Sequence, residues 1–213
     1  MSGRWGWRAA RLLGHGKRAA AHAKALLRHP LAYASAVAHD PQRWSREEDF
    51  APDWEERTRL LAQPIPPGAR VIEFGAGLLA LPRWLPSGCL YQPADLFPRS
   101  PETWVVDLNA ARLPDPPGSY DWAVFSGVLE YVRDLGRLFG WLARFVDRVA
   151  FSYAALDFLS CPVTRRRNGW VNHYTLAELT ALLERQDWQA NCFGCWREQV
   201  LAQAGRQPGG PAG

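Results

Sequence analysis

Acidic side chains are missing from the first 39 positions of this 213-residue chain, where Arg4, Arg8, Arg11, Lys17, Arg18, Lys24 and Arg28 give a charge of +7. The whole chain carries only +4, which leaves −3 for everything from Asp40 onward. The positive charge therefore sits on an arm and the remainder is mildly acidic, a distribution that argues against a body built to grip duplex nucleic acid. Long apolar runs are absent too. None approaches the ~20 residues a membrane-spanning helix needs, and the arm has no uninterrupted apolar stretch of the kind a secretion signal carries. It is Arg-rich and acid-free like an organellar transit peptide but lacks the Ser enrichment, so the expected location is the cytoplasm. Cysteine is scarce, with Cys89, Cys161, Cys192 and Cys195 alone. Cys192-Phe-Gly-Cys195 has a C-x-x-C spacing, but zinc needs two further ligands and no second close pair exists, so no metal is expected. A redox pair belongs near the start of a thioredoxin-like unit, and this one lies near the C-terminus, so the cysteines read as structural thiols. No internal repeat is evident.

What is present is ordinary for a globular protein: 47% hydrophobic and 22% charged residues, in a chain long enough for one sizeable core. Residues 1–63 read as a basic helical extension. Trp5 and Trp7 suit a lipid headgroup layer, which makes the arm a candidate for peripheral membrane contact. Ser45-Arg-Glu-Glu48 is a capping-box pattern that predicts a helix from about Arg46, interrupted or restarted at Pro52. The run PIPPG from Pro64 to Gly68 is rigid punctuation and marks the border of a core spanning 64–205. The Gly- and Pro-rich segment 206–213 reads as a disordered tail.

Within the core, strand and helix patterns alternate. Arg70–Phe74 reads as a strand, Leu78–Trp84 as a short helix, and Cys89–Ala94 and Thr103–Val106 as strands. Asp121–Ser126 is a nearly continuous apolar run of the kind buried on both faces of a sheet. Val128, Tyr131, Val132, Leu135, Leu138, Leu142 and Phe145 recur at helical spacing, with Asp134 placed to cap part of the segment. Arg148–Tyr153 is a further buried strand. Thr175-Leu-Ala-Glu178 is a second capping box, and two closing strands follow near Trp188–Phe193 and Trp196–Leu201. Such alternation predicts an α/β fold, a doubly wound, mostly parallel sheet with ligands at the carboxyl ends of its strands.

The turn after the first strand, VIEFGAGLLAL from Val71 to Leu81, admits two nucleotides. Gly75, Gly77 and Ala80 satisfy the dinucleotide pattern G-x-G-x-x-G/A, and Asp95 follows 20 residues after Gly75, as a ribose-binding acid does in NAD-type oxidoreductases. Glu73 favours the other. In a strand, Glu73 shares a face with Val71, and an unpaired carboxylate packed in that layer costs several kcal/mol. An acid there makes sense if it looks into a polar pocket for a cationic ligand, and S-adenosylmethionine carries a sulfonium and an ammonium group.

Four segments, in order, resemble the class I S-adenosylmethionine-dependent methyltransferases, over about residues 65–203. VIEFGAG resembles their first motif, and LYQPADL the end of their second strand. VVDLNAARLPDPPGSYDWAVFSGVLEYVRDL resembles their run of an acid, a Leu-Pro turn, an aromatic-Asp strand opening and Leu-Glu-His. NHYTLAELTALLERQDWQ resembles their helix-to-strand segment near the end. The resemblance implies a Rossmann-like seven-stranded sheet with one antiparallel strand near the end, S-adenosylmethionine as cofactor, and methyl transfer to a small-molecule acceptor, with a glycan or a lipid-linked intermediate as the candidates. It implies that Gly75 and Gly77 admit the methionine part and ribose. It places Glu73 near the ammonium end, Asp95 on the ribose diol with Leu96 beside it, Asp107 on the adenine amino group with the Leu108 N–H at the ring edge, and Ser126 and Gly127 beside the transferable methyl. Two positions depart from the pattern: Leu79 stands where a third glycine is commonest, and Tyr131 replaces the histidine of Leu-Glu-His. They keep a third reading open, a degenerate methyltransferase fold that only binds.

On the acceptor side, the segment CPVTRRRNGWVNHYT crosses the carboxyl edge of the sheet. His173 is the candidate base, backed by Tyr174 and Glu130, with Tyr153 at the end of its strand. Arg165, Arg166 and Arg167 are candidates to hold a phosphate or carboxylate on the acceptor. The competing readings are a histidine that holds a loop and an arginine cluster that is solvated surface.

Overall fold

Val71, Ile72, Phe74, Ala123, Val124, Phe125, Val149, Ala150 and Phe151 are fully buried, and they come from three strands lying side by side. Apolar runs without alternation suit the centre of a parallel sheet, where both faces are covered. The computed structural model describes residues 41–206. The expected basic helical arm with its Trp5 and Trp7 contacts, and the tail beyond Arg206, lie outside the described residues. The strands are β1 (Arg70–Phe74), β2 (Leu90–Asp95), β3 (Trp104–Val105), β4 (Tyr120–Phe125), β5 (Val146–Tyr153), β6 (Trp188–Trp196) and β7 (Gln199–Arg206). The α-helices are α1 (Trp54–Ala62), α2 (Leu135–Leu142), α3 (Pro162–Arg167) and α4 (Leu176–Glu184).

The seven strands form one sheet in the order β3-β2-β1-β4-β5-β7-β6. Strands β1 to β5 pair in parallel and β7 runs antiparallel to both β5 and β6, as the resemblance implied. The chain winds outward from β1 to β3, then returns to the other side of β1 as β4, in register Phe74 with Phe125. That reversal leaves a crevice at the carboxyl ends of β1 and β4, the place where doubly wound sheets bind ligands. Ile72 and Phe74 point to a layer filled by α2 and α4, while Val71 points to a layer filled by Leu61 and Ala62 of α1. Phe74 stacks on Phe125 at 4.9 Å across that strand pair.

Several local expectations are corrected. Ser45 does not cap an α-helix. Its hydroxyl donates to the Gln42 carbonyl (2.7 Å), residues Pro41–Ser45 and Glu47–Asp49 form two short 3-10 turns, and among the described residues the first α-helix starts past Pro52 at Trp54. The helix expected over Leu78–Trp84 shrinks to a 3-10 turn at Leu81–Arg83 because Leu79 takes a left-handed φ of 55° and Pro82 follows at the start of the turn. The long helical pattern after β4 divides into a 3-10 turn, Leu129–Tyr131, and α2, whose N-cap Asp134 accepts from the Arg137 N–H (2.9 Å). The Thr175–Glu178 capping box is present on α4 in both directions. The closing strands run longer than expected and meet at a turn through Arg197 and Glu198. Just before the expected border between residues 63 and 64, α1 packs on the sheet through Leu61 and Ala62.

Candidate functional site

The crevice begins with backbone. After β1 the chain turns back sharply, and the N–H groups of Gly75 and Ala76 both donate to the Ala94 carbonyl at the end of β2 (2.8 and 3.2 Å). Gly75 and Gly77 have φ of 69° and 50°, which glycine adopts without steric penalty. A Cβ on Gly77 would lie 2.8 Å from the Phe50 ring, and one on Gly75 would lie 2.4 Å from the Val128 side chain, so both positions need their bare backbone. Leu79 keeps the glycine-like conformation at the third position, at a cost of roughly 1–2 kcal/mol.

Above the strand ends lies a cavity of about 900 Å³. All nine residues assigned to the cofactor line it: Glu73, Gly75, Gly77, Asp95, Leu96, Asp107, Leu108, Ser126 and Gly127. Glu73 is only 2% exposed yet faces this space, and the Tyr91 hydroxyl donates to its Oε2 (2.6 Å). Burial, with the Asp95 carboxyl pushing the same way, raises its pKa to about 8 against the pull of the Tyr91 hydrogen bond. Asp95 is buried at the end of β2. Its Oδ2 accepts from the Gly77 N–H (2.9 Å), and its Oδ1 from the Phe97 N–H (3.0 Å) and from Arg99 Nη2 (3.1 Å). A carboxylate has about four lone-pair sites, so one is left for a ribose hydroxyl rather than the two of the sequence expectation. Asp107 is exposed at the end of β3 and accepts from the Asn109 N–H (2.8 Å), while Leu96 and Leu108 are half-buried walls. At the end of β4, the Ser126 hydroxyl lies 2.8 Å from Thr58 Oγ1, and the Gly127 N–H donates to Ser152 Oγ (2.8 Å).

Four aromatic residues that sequence reasoning did not assign to the site form a further wall. Trp44 contacts Phe50, Trp54 and Tyr131 at centroid distances of 5.7, 5.9 and 5.3 Å, and all four line the cavity. Arg99 ties this wall to the floor, donating to the Trp44 carbonyl as well as to Asp95, while its Nε is buried without a partner. Arg57 of α1 enters from the same segment. Its signal was in the sequence: Arg57, Thr58, Leu61 and Ala62 make up the buried stripe of one amphipathic helix, and two polar residues on such a stripe need partners there.

The residues expected on the acceptor side are elsewhere. Glu130, Tyr153, Arg165, Arg166, Arg167, His173 and Tyr174 do not line the cavity. Arg165 is fully buried and donates to the carbonyls of Ala154 (2.6 Å), Leu159 (3.0 Å) and Asn172 (3.1 Å) and to His173 Nδ1 (2.9 Å), so it clamps the segment after β5 instead of holding an anion. His173 is bound to that clamp. Tyr153 is buried, donating to Asn172 Oδ1 (2.6 Å) and accepting from the Tyr174 N–H (2.9 Å), and burial raises its pKa. Glu130 accepts from the Ala154 N–H (2.7 Å) beneath the cavity, burial holds its pKa above the usual carboxylate range, and its Oε2 has no partner. Arg166 and Arg167 end the short α3, whose Thr164 and C-cap Asn168 line the cavity although neither arginine does, and Arg167 is exposed. His173 matches the competing reading of a histidine that holds a loop, while the solvated-surface reading suits exposed Arg167 but not Arg165, which is fully buried.

A doubly wound sheet of this order, with a glycine turn beneath a crevice that holds two buried carboxyls, defines the class I S-adenosylmethionine-dependent methyltransferases. The chain matches a methyltransferase-domain family model over residues 40–192 and belongs to that family. Among curated proteins no sequence matches it. Solved structures share the fold at low identity. The N-terminal domain of EvdMO1, crystallised with S-adenosylhomocysteine and D-fucose, aligns with a TM-score of 0.55 at 18% identity over 74% of this chain and 84% of that one. The 1,6-didemethyltoxoflavin-N1-methyltransferase of Burkholderia thailandensis, with its acceptor and S-adenosylhomocysteine, gives 0.54 at 17% over 77% and 81%. The magnesium protoporphyrin IX methyltransferase of Synechocystis, with S-adenosylhomocysteine bound, gives 0.53 at 16% over 73% and 84%.

The residues present fit the cofactor. A carboxyl held neutral by burial and by a second carboxyl suits a ligand that brings positive charge, because the cation restores the ionised form. The bare backbone at Gly75 and Gly77 and the remaining lone pair of Asp95 offer contacts for the rest of a nucleoside.

Proposed function

We propose that the protein transfers a methyl group from S-adenosylmethionine to a small-molecule acceptor held in the half of the cavity walled by Trp44, Trp54, Arg57, Tyr131 and Trp196. The single observation that carries the cofactor reading is Glu73, a carboxyl buried at a strand end yet facing open cavity. The volume of about 900 Å³ is at the upper end of the roughly 300–1,000 Å³ of ligand pockets and supports two small molecules side by side. The dinucleotide reading is disfavoured by the turn itself. A pyrophosphate rests on a helix N-terminus, and this turn opens only a three-residue 3-10 segment.

S-adenosylmethionine supplies an activated methyl group on sulfur, so the protein's task is chiefly alignment. Glu73 meets the cationic end. Gly75 and Gly77 let the backbone close on the ligand, and Asp95 accepts a ribose hydroxyl while Arg99 and the Gly77 N–H fix its orientation. Ser126 and Gly127, directly across the register from the glycine turn, form the floor where the two ligands meet. Trp44, Phe50 and Trp54 cover the crevice and exclude water. Tyr131, in the place of the family's histidine, is held in its neutral phenol form by burial and by Glu130, and no described histidine lines the cavity. The chemistry therefore suits an acceptor that needs no strong base.

Calorimetric titration with S-adenosylmethionine and with NAD tests the reading: the first binds and the second does not. Binding of NAD alone reverses the assignment, and binding of neither by folded protein returns the non-catalytic reading that Leu79 and Tyr131 kept open. No described helix is long and apolar enough to cross a membrane. The proposal keeps the enzyme cytoplasmic, with the basic arm of residues 1–40 as its route to anionic lipid. Deleting those residues should abolish co-sedimentation with anionic liposomes, and equal sedimentation would end that idea.

A further inference from the structure

Arg57 is a buried cation without an anion. Only 7% of it is exposed, and among the described residues no carboxylate stands within ion-pair distance. Three of its five N–H groups are used: Nε donates to Ser126 Oγ (3.1 Å), Nη1 to Gln199 Oε1 (3.0 Å) and Nη2 to the Ser126 carbonyl (3.2 Å). All three partners are neutral. The guanidinium carbon lies 5.5 Å from the centre of the Trp54 ring and 5.1 Å from that of Trp196. Arg57, both tryptophans and Gln199 line the cavity. The nearby carboxylates stop short of an ion pair: Asp53 pairs with Arg197 and Glu55 with Arg83, while Glu130 and Asp53 act on Arg57 only through space, and the hydrogen-bonded route to Glu130 runs through Gln199, whose Nε2 donates to Glu130 Oε1 (3.4 Å). Glu198 is exposed on the turn between β6 and β7.

A guanidinium in a low-dielectric wall with spare donors is expensive unless an anion completes it, and its planar fork matches a carboxylate. The flanking indoles present flat apolar faces beside that fork, which suits a planar apolar body attached to the anionic group. Ser126, which receives two of the three hydrogen bonds, ends β4 beside the glycine turn of β1, so the fork opens next to the meeting point of the two ligands. We propose that Arg57 is the acceptor-binding residue and that the acceptor carries a carboxylate, seated in the Arg57 fork with its apolar body against Trp54 and Trp196. This rests on the methyltransferase reading and names the substrate class for it.

The test uses the full chain saturated with S-adenosylhomocysteine, whose own binding is measured first; failure at that step overturns the methyltransferase reading and not the Arg57 geometry. Benzoate, benzamide and phenyl phosphate are then titrated by ligand-observed NMR. Benzoate is expected to bind about tenfold more tightly than benzamide, the scale of one charge-assisted hydrogen-bond pair. Arg57→Gln should erase that preference. Gln199→Glu, which places a carboxylate on the fork from within and leaves Arg57 its packing, should erase it too and covers the case in which Arg57→Gln fails to fold. Equal binding of benzoate and benzamide, binding of neither, or a preference that survives in a folded variant overturns the proposal. Tighter binding of phenyl phosphate than of benzoate overturns the carboxylate assignment.

Discussion

The two halves of the cavity are built differently. The half above the ends of β1, β2 and β3 is made from consecutive strands: Glu73 and Gly75, then Asp95, then Asp107, each within a few residues of its strand. The half beyond β4 is made from pieces far apart in the chain. Arg57 and Trp54 come from a helix that precedes the sheet, Trp196 and Gln199 from the final hairpin, and Tyr131 from the turn after β4. The first half positions its groups through backbone, by the Gly75 and Ala76 N–H groups on Ala94 and the Gly77 N–H on Asp95. The second positions them through side chains packed across distances of up to 142 residues in sequence, as between Arg57 and Gln199. A strand-end half can keep its pattern while the other varies freely, which is how one fold serves many acceptors.

The largest effect that separates the halves is a loss of stability without a loss of binding. Arg165→Met leaves the carbonyls of Ala154, Leu159 and Asn172 without their donor, and the unfolding free energy should fall by about 3 kcal/mol or more. Cofactor affinity per folded molecule should stay unchanged; denaturant melts alongside calorimetry check both, and a lost affinity with intact stability would put Arg165 back in the site. Next comes Asp95→Ala, expected to weaken S-adenosylmethionine by at least tenfold, since one mutation removes a ribose acceptor and frees Arg99 and the Gly77 N–H. An unchanged dissociation constant would count against the assigned ribose position. The smallest effect is that of His173→Ala. With its Nδ1 committed to Arg165 and its ring outside the cavity, kcat should stay within about threefold. A loss of a hundredfold or more in turnover would restore His173 as the base.

The same division explains what the sequence disclosed. The central parallel strands were legible because strands buried on both faces read as apolar runs, whereas the antiparallel strand and the nine residues expected at the cofactor came from the resemblance to the methyltransferases, and all nine line the cavity. Glu73 was legible from one alternation argument. The acceptor half was not, for a physical reason: Arg165 and His173 sit in a chemically suggestive segment, but burial turned their polarity inward to clamp carbonyls, and nothing local distinguishes an arginine aimed at a ligand from one aimed at backbone. Arg57 carried a readable sign, a charged residue on the buried stripe of α1, but its partners, Ser126 and Gln199, are set by long-range packing. Local elements failed where a single residue overrode a pattern, as Leu79 with Pro82 did for the helix after β1.

The most direct measurement concerns the proton on Glu73. In the free protein its carboxyl is pushed up to about 8, so at pH 7 it is mostly protonated; a bound cation favours the ionised form and lowers that value. Binding S-adenosylmethionine at pH 7 should therefore release close to one proton from this group, and affinity should rise as pH climbs from 6 toward 8. Calorimetry in buffers of different ionisation enthalpy, comparing the native protein with Glu73→Gln to subtract the ligand's own amino group, reads that proton. A release of nearly one proton that vanishes in Glu73→Gln is the expected result. Equal proton counts in the two proteins, with tight binding in both, would contradict the account.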